Sequence, residues 1–375
     1  MSSTKKDPVI VVLQLTGGND YLNTVIPYND PHYRDNRPAV GVAEDRILKI
    51  TDNVGFHPEM APMQRLYDQG KVAIINGVGY ANSPRSHFRS MDIWHTCEPD
   101  KLGTEGWLGR VTKDLDPNKE NVVTTVSFGP SLPRALALPG VPVACVDDLD
   151  TFGMLPTISE TEQRNKILDR FTRLYSPTIG SGFVMDYLGQ TGLDSLKAAD
   201  ILKVAPAKYN STIEYPDTTL ARKLRGIAQV HMADLGTRIL YCDHGSFDSH
   251  SNQVGMHDKL WHDVSSAVES FFDDLRENNA GENVIMLLFS EFGRRVHDNG
   301  SGTDHGAAGA AFVIGEGVKG GEYGEYPSTN TEDLEQGDLV PNTDFRSVYT
   351  TIAENWMGLD ANPLVGGTFE KPSFV

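Results

Sequence analysis

Apolar positions along the chain follow two different rhythms. Six short runs are rich in apolar and β-branched residues: Val9–Leu15 (VIVVLQL), Val72–Val78 (VAIINGV), Val122–Phe128, Arg238–Cys242 (RILYC), Asn283–Phe289 and Ala310–Ile314. Short runs of this kind, bounded by polar or glycine residues, predict strands covered on both faces, the habit of parallel sheets. Between them, apolar residues recur at helical steps. In 253–279, Leu260, Val264, Val268, Phe271 and Leu275 fall on one helical face. Residues 217–235 and 345–359 repeat that spacing. Strands alternating with helices predict an α/β fold, a three-layer sandwich around a mainly parallel sheet. The proline-rich stretch LPRALALPGVPVA (132–144) reads as a loop, not a linker. The chain is therefore expected to form one domain over residues 1–375, with a helical insertion at about 155–235.

Composition narrows the function classes. With 39% hydrophobic and 22% charged residues the chain is of ordinary globular type. A formal net charge of −18 argues against a nucleic-acid partner, whose phosphates require a basic surface. Cys97, Cys145 and Cys242 are odd in number and lack CxxC spacing, so neither a disulfide framework nor a zinc ribbon is expected. No apolar run reaches the roughly 20 residues that span a bilayer. The opening residues MSSTKKDPVI lack the apolar segment of a signal peptide, a reading that a mature or trimmed form would share.

In open α/β sheets ligands bind beyond the carboxyl ends of the strands, so those segments hold the candidate chemistry. After the first run comes TGGNDYLN, with Asp20 behind Gly17 and Gly18; the aspartate is either a ligand or an Asx-turn residue. After the second comes YANSPRSHFRSMDIW, where Pro84 and the spacing of Phe88, Met91 and Trp94 predict a helix starting near 83–86. Ser86 there is an N-cap or a nucleophile favoured by the helix dipole. DHGSFDSHSNQVGMH follows RILYC and carries Asp243, His244, Asp248, His250 and His257, donors suited to zinc or manganese. SEFGRRVHDNGSGTDHG follows the fifth run and adds Glu291, Arg294, Arg295, Asp304 and His305. GEGVKG (315–320) matches a dinucleotide fingerprint, but GEYGEYP follows it, where the fingerprint needs a helix. No GxSxG, HExxH or P-loop motif occurs.

LTGGNDYLNTVIPYNDPHY, GFHPEMAPMQRLYDQGKVAIINGVGY, SPRSHFRSMDIW, GWLGR, FDSHSNQVGMH, SEFGRRVHDNGSGTDHG, GGEYGEYP and TDFRSVYTTIAENWMGL resemble, in order and nearly end to end, the blocks of the DUF 1501 proteins. That family looks like a divergent branch of the alkaline phosphatase and sulfatase superfamily. The resemblance implies an alkaline-phosphatase-like fold, a periplasmic or secreted setting and a site for one or two divalent ions, zinc or manganese. It also implies metal ligands at Asp20, Asp248, His250, Glu291 and His305, and a nucleophile at Ser86. Arg294, Arg295 or Arg85 could clamp an oxyanion, since guanidinium matches phosphate and sulfate bidentately. Three departures stand out. Phe292 occupies the position of a second-metal histidine, Asn252 replaces the histidine four after Asp248, and no Cys/Ser-x-Pro-x-Arg element exists. The expected function is metal-dependent hydrolysis of sulfate or phosphate esters, on a small-molecule or glycan substrate. The alternatives are a non-catalytic protein that binds a metal or an anionic glycan on the same strand edge, and a metal-dependent transferase or phosphodiesterase.

Overall fold

Each of the six apolar runs contributes a strand to one sheet. A computed structural model describes residues 6–149, 152, 161–175 and 182–375. Its main strands are β1 (Val9–Leu15), β2 (Val72–Gly79), β3 (Thr125–Phe128), β4 (Ala144–Val146), β5 (Ile239–His244), β6 (Val284–Ser290), β7 (Gly309–Gly315), β8 (Gly321–Tyr323) and β9 (Thr343–Asp344). They lie in the order β8-β2-β7-β6-β1-β5-β3-β4, with β9 also pairing β2. β7 runs antiparallel to both neighbours; the other pairings of this sheet among the described residues are parallel.

All seven residues of β1 are buried, and successive ones serve opposite cores. Val9, Val11, Leu13 and Leu15 join one core with Leu224 and Trp261, while Ile10 and Val12 join the other with Trp94 and Trp107. The helices divide accordingly. α5 (Thr219–Met232) and α6 (Gln253–Glu277) cover one face, and α1 (His87–Thr96), α2 (Trp107–Leu115) and α7 (Phe345–Thr351) cover the other. The result is a mixed, mainly parallel sheet with helices on both sides.

Three local features differ from the sequence expectation. The stretch expected to be helical to 359 ends its α-helix at Thr351 and continues as a π turn, Ile352–Trp356. The proline-rich stretch ends in an edge strand, β4. A small sheet of Val25–Ile26, Leu48–Lys49 and Gly55–Phe56 was not anticipated, because two-residue strands leave no period to read. Within the stretch expected as an insertion, α3 (Thr161–Tyr175), α4 (Phe183–Leu202) and α5 are helical, while residues 153–160 and 176–181 lie outside the described residues. GEGVKG passes from β7 into β8 with no helix between. No helix among the described residues is long and apolar enough to cross a membrane.

Two aspects of this topology gather the candidate residues. Leu15 pairs with both His244 and Ser290, so the chain leaves β1, β5 and β6 at the same level of the sheet. Because β7 is reversed, the segment joining β6 to β7 starts and ends at that same edge.

Candidate metal centre

The strand ends are drawn together by close backbone passage. Gly17 has φ +123°, and a Cβ there would lie 2.4 Å from the Asp248 nitrogen, so only glycine lets the loop after β5 lie against the end of β1. Arg294, 1% exposed, then pins these segments. Its guanidinium donates to the carbonyls of Gly18 (2.7 Å), Phe247 (2.9 Å), Thr303 (3.0 Å) and Gly17, and to Asp248 Oδ1 (2.8 Å). This departs from the expected oxyanion clamp: its donors are committed inside the protein.

Three imidazoles surround the Asp248 carboxylate, and each is held from behind. Nδ1 of His305 is 2.9 Å from the carbonyl oxygen of Arg85, which can only accept, so Nδ1 carries the hydrogen. Nδ1 of His250 donates in the same way to Asp304 Oδ1 at 2.9 Å. Nδ1 of His87 is 2.9 Å from Glu291 Oε1, an oxygen that already accepts from the Gly17 N–H. With Nδ1 protonated, each neutral ring presents a bare Nε2 lone pair. Those of His305 and His250 both lie 3.0 Å from Asp248 Oδ1 and 3.0 Å from each other. That of His87 lies 3.3 Å from Asp248 Oδ2, within ion-pair reach but out of line for a hydrogen bond, and it is buried without a hydrogen-bond partner. Lone pairs and a carboxylate at these separations repel one another unless positive charge, a proton or a metal ion, sits among them.

The titration shifts follow from the same contacts. Partial burial pushes the Asp248 carboxyl up, but the hydrogen bond from Arg294 and the histidines beside it outweigh it and hold it well below the usual carboxylate range. Asp304 is lowered chiefly by its hydrogen bond from His250. The hydrogen bond to Glu291 raises His87.

The remaining expected residues divide clearly. Asp20 stands outside the cluster. It is 1% exposed, and both its oxygens are taken by Arg37, at 2.6 and 2.9 Å, with Gln253 donating to one of them. Burial pushes its carboxyl up, yet Arg37 more than compensates and holds it low. Glu291 is fully buried, bonded by Gly17, His87 and Ser290, and so stands behind a histidine instead of facing the cluster. Ser86 is the N-cap of α1, immediately before His87, and its side chain makes no capping bond. Asp243 pairs with Lys223 at 2.7 Å. His257 is buried against Asn19 and Trp261, and burial pushes it down to about 3. Arg85 and Arg295 both face Asp338, with nitrogen–oxygen separations of 2.5 and 3.7 Å.

His87 is the residue that sequence reasoning missed. One signal was available: it opens a helix whose N-terminal dipole disfavours a cationic side chain, so a histidine there calls for a specific partner.

The donor set fits a divalent ion. Ligand atoms of His87, Asp248 and His305 lie within 4.8 Å of one another. Arg294 occupies Asp248 Oδ1 and leaves Oδ2 toward the orphaned His87 Nε2. A mixed imidazole and carboxylate set suits zinc or manganese better than calcium.

Comparison with known proteins gives distant likenesses. A protein in the alkaline phosphatase superfamily from Vibrio parahaemolyticus is 9% identical, with 96% of this chain and 69% of that one covered and a TM-score of 0.42. BT1596, a 2-O GAG sulfatase, is 11% identical over 98% and 76% of the two chains, with a TM-score of 0.40. The C-terminal periplasmic domain of EcEptC from Escherichia coli, in complex with Zn, is 10% identical over 96% and 84%, with a TM-score of 0.39. No curated protein matches the chain. One family model does: that of the protein of unknown function DUF1501 matches residues 194–372, a span that contains Asp248, His250, Glu291 and His305 but not His87.

Proposed function

We propose that His87, Asp248 and His305, with His250 beside them, hold a divalent transition metal, and that the protein uses the site to hydrolyse a phosphate or sulfate ester. The observation that carries this reading is the convergence of three back-bonded imidazoles on one carboxylate. Glu291, Asp304 and the Arg85 carbonyl fix the tautomers, so each ring keeps its Nε2 free. A bound zinc or manganese ion would supply Lewis acidity toward an ester oxygen and lower the pKa of a ligated hydroxyl. Ser86 is the candidate nucleophile: its hydroxyl is not used in capping, it adjoins His87, and the N-terminus of a ten-residue helix favours negative charge there. Arg294 orients Asp248 and ties the strand ends together.

One observation favours a second reading. With Arg294 committed to carbonyls and Asp248, the cluster lacks the guanidinium that ester hydrolysis would use against a developing anion, as a non-catalytic metal-binding protein would.

Metal analysis of the purified protein, with a panel of aryl phosphates and aryl sulfates, tests both readings. Hydrolysis predicts bound zinc or manganese, lost with His305→Ala, and turnover abolished by Ser86→Ala with metal retained. Metal without turnover favours the binding protein. A protein that is metal-free and gains no thermal stability from added zinc or manganese contradicts both.

A further inference from the structure

Exposed apolar side chains are concentrated on a feature that the metal cluster does not use. Of eleven large hydrophobic residues exposed among the described ones, six lie on α3 and α4: Ile167, Leu174, Val184, Met185, Tyr187 and Leu188. The two helices have 15 and 20 residues of a 375-residue chain. Apolar residues scattered singly over a surface need no explanation, but grouped ones mark association surfaces.

Their spacing is helical. Ile167 and Leu174 stand seven apart, and Val184, Tyr187 and Leu188 stand at i, i+3 and i+4, so each helix turns an apolar stripe to solvent. α4 is anchored at its other end, where Ala198 and Leu202 join the core with Val122 and Val126. Toward its N-terminus the same helix leaves Val184 66% and Leu188 51% exposed.

Charge identifies the occupant. By sequence, α3 carries four cations (Arg164, Lys166, Arg170 and Arg173) against Glu162 and Asp169. α4 carries three acids (Asp186, Asp194 and Asp200) against Lys197. A net positive helix packed on a net negative one is self-complementary, because a two-fold axis lays α3 of one copy on α4 of the other at both halves of the contact. A net charge of −18 makes two copies repel elsewhere. Lys166 and Arg173 pair with Glu162 and Asp169, one turn back on the same exposed helix, and Arg170 pairs with no acid among the described residues. Such exposed pairs are worth little and exchange readily for pairs across an interface.

We infer that α3 and α4 form the interface of a homodimer, apolar along the stripes and ionic beside them. The inference is independent of the metal reading.

Light scattering on the full chain after gel filtration tests it, and the expected mass is twice that of the 41.2 kDa chain. Val184→Glu and Leu188→Glu change positions already in water, so the monomer should stay folded while each weakens association about tenfold or more. Arg170→Glu with Arg173→Glu makes both helices acidic; Asp186→Lys with Asp194→Lys makes both basic. Each double variant, shown by circular dichroism to be folded, should be monomeric alone, and an equimolar mixture of the two should recover the dimer. A monomeric parent chain, assembly beyond two copies, a dimer indifferent to Val184→Glu and Leu188→Glu, or a mixture that stays monomeric overturns the inference. So does a monomer that floats with vesicles of anionic lipid and loses them on Arg170→Glu, which would assign the stripes to a membrane surface.

Discussion

Asp20 and Asp248 are both aspartates just beyond a strand of the same sheet, and they have opposite surroundings. Asp20 and Arg37 have side chains with no exposure, and Arg37 also donates to the carbonyls of Arg295 (2.9 Å) and Val296 (2.6 Å). Every charge there has its complement inside the protein. Asp248 keeps 45% of its side chain exposed, and the imidazoles around it turn lone pairs toward it. Arg37 takes both oxygens of Asp20, whereas Arg294 takes only Oδ1 of Asp248, so Oδ2 and the imidazole Nε2 atoms around it stay available to a ligand.

The sharpest way to break this contrast is at Arg37. Arg37→Ala leaves Asp20 buried and unpaired, which should cost about 3–5 kcal/mol of stability by denaturant unfolding. Metal content per folded molecule should not change. Loss of metal from a folded Asp20→Asn protein would put Asp20 back among the ligands.

A smaller effect is expected on the open side. Glu291→Gln weakens the hold on His87 Nδ1 without removing a ligand, and should lower zinc or manganese affinity by about 10- to 100-fold. Isothermal titration with the metal alone measures it, and an unchanged affinity would mean that His87 needs no support from Glu291.

The last effect concerns pH. Burial pushes His57 down to about 4 and His95 and His257 to about 3, from an ordinary 6.5. Unfolded, these rings take up protons near 6.5; folded, only at the lower values. Their contribution to stability is thus complete above about 6.5 and is lost as pH falls through 5 toward 4 and 3, at about 1.4 kcal/mol per pH unit for each ring. Urea midpoints at pH 7, 6 and 5 should fall in that order; a flat series would show that these rings are not held neutral.

How much of this was legible in the chain depends on range. The β1, β5 and β6 runs could be read because a strand buried on both faces is apolar at most positions, and the α6 stripe because one helical face is. Asp248, His250 and His305 were legible as donors because they crowd into loops at strand ends. Their partners were not. Arg37 reaches Asp20 across 17 residues, Glu291 reaches His87 across 204, and Arg85 meets His305 across 220. Local composition carries no record of such distances. Two-residue strands and a π turn were equally silent, being too short to repeat a period.

The chain by itself determined the layers, the sheet edge and the stock of ligating side chains, because periodicity and residue type are local properties. Tertiary structure alone decided which aspartate has both oxygens sealed by a guanidinium and which keeps one oxygen among imidazole lone pairs. Charge compensation depends on what the fold brings within about 3–4 Å, where hydrogen bonds form and ion pairs are strongest.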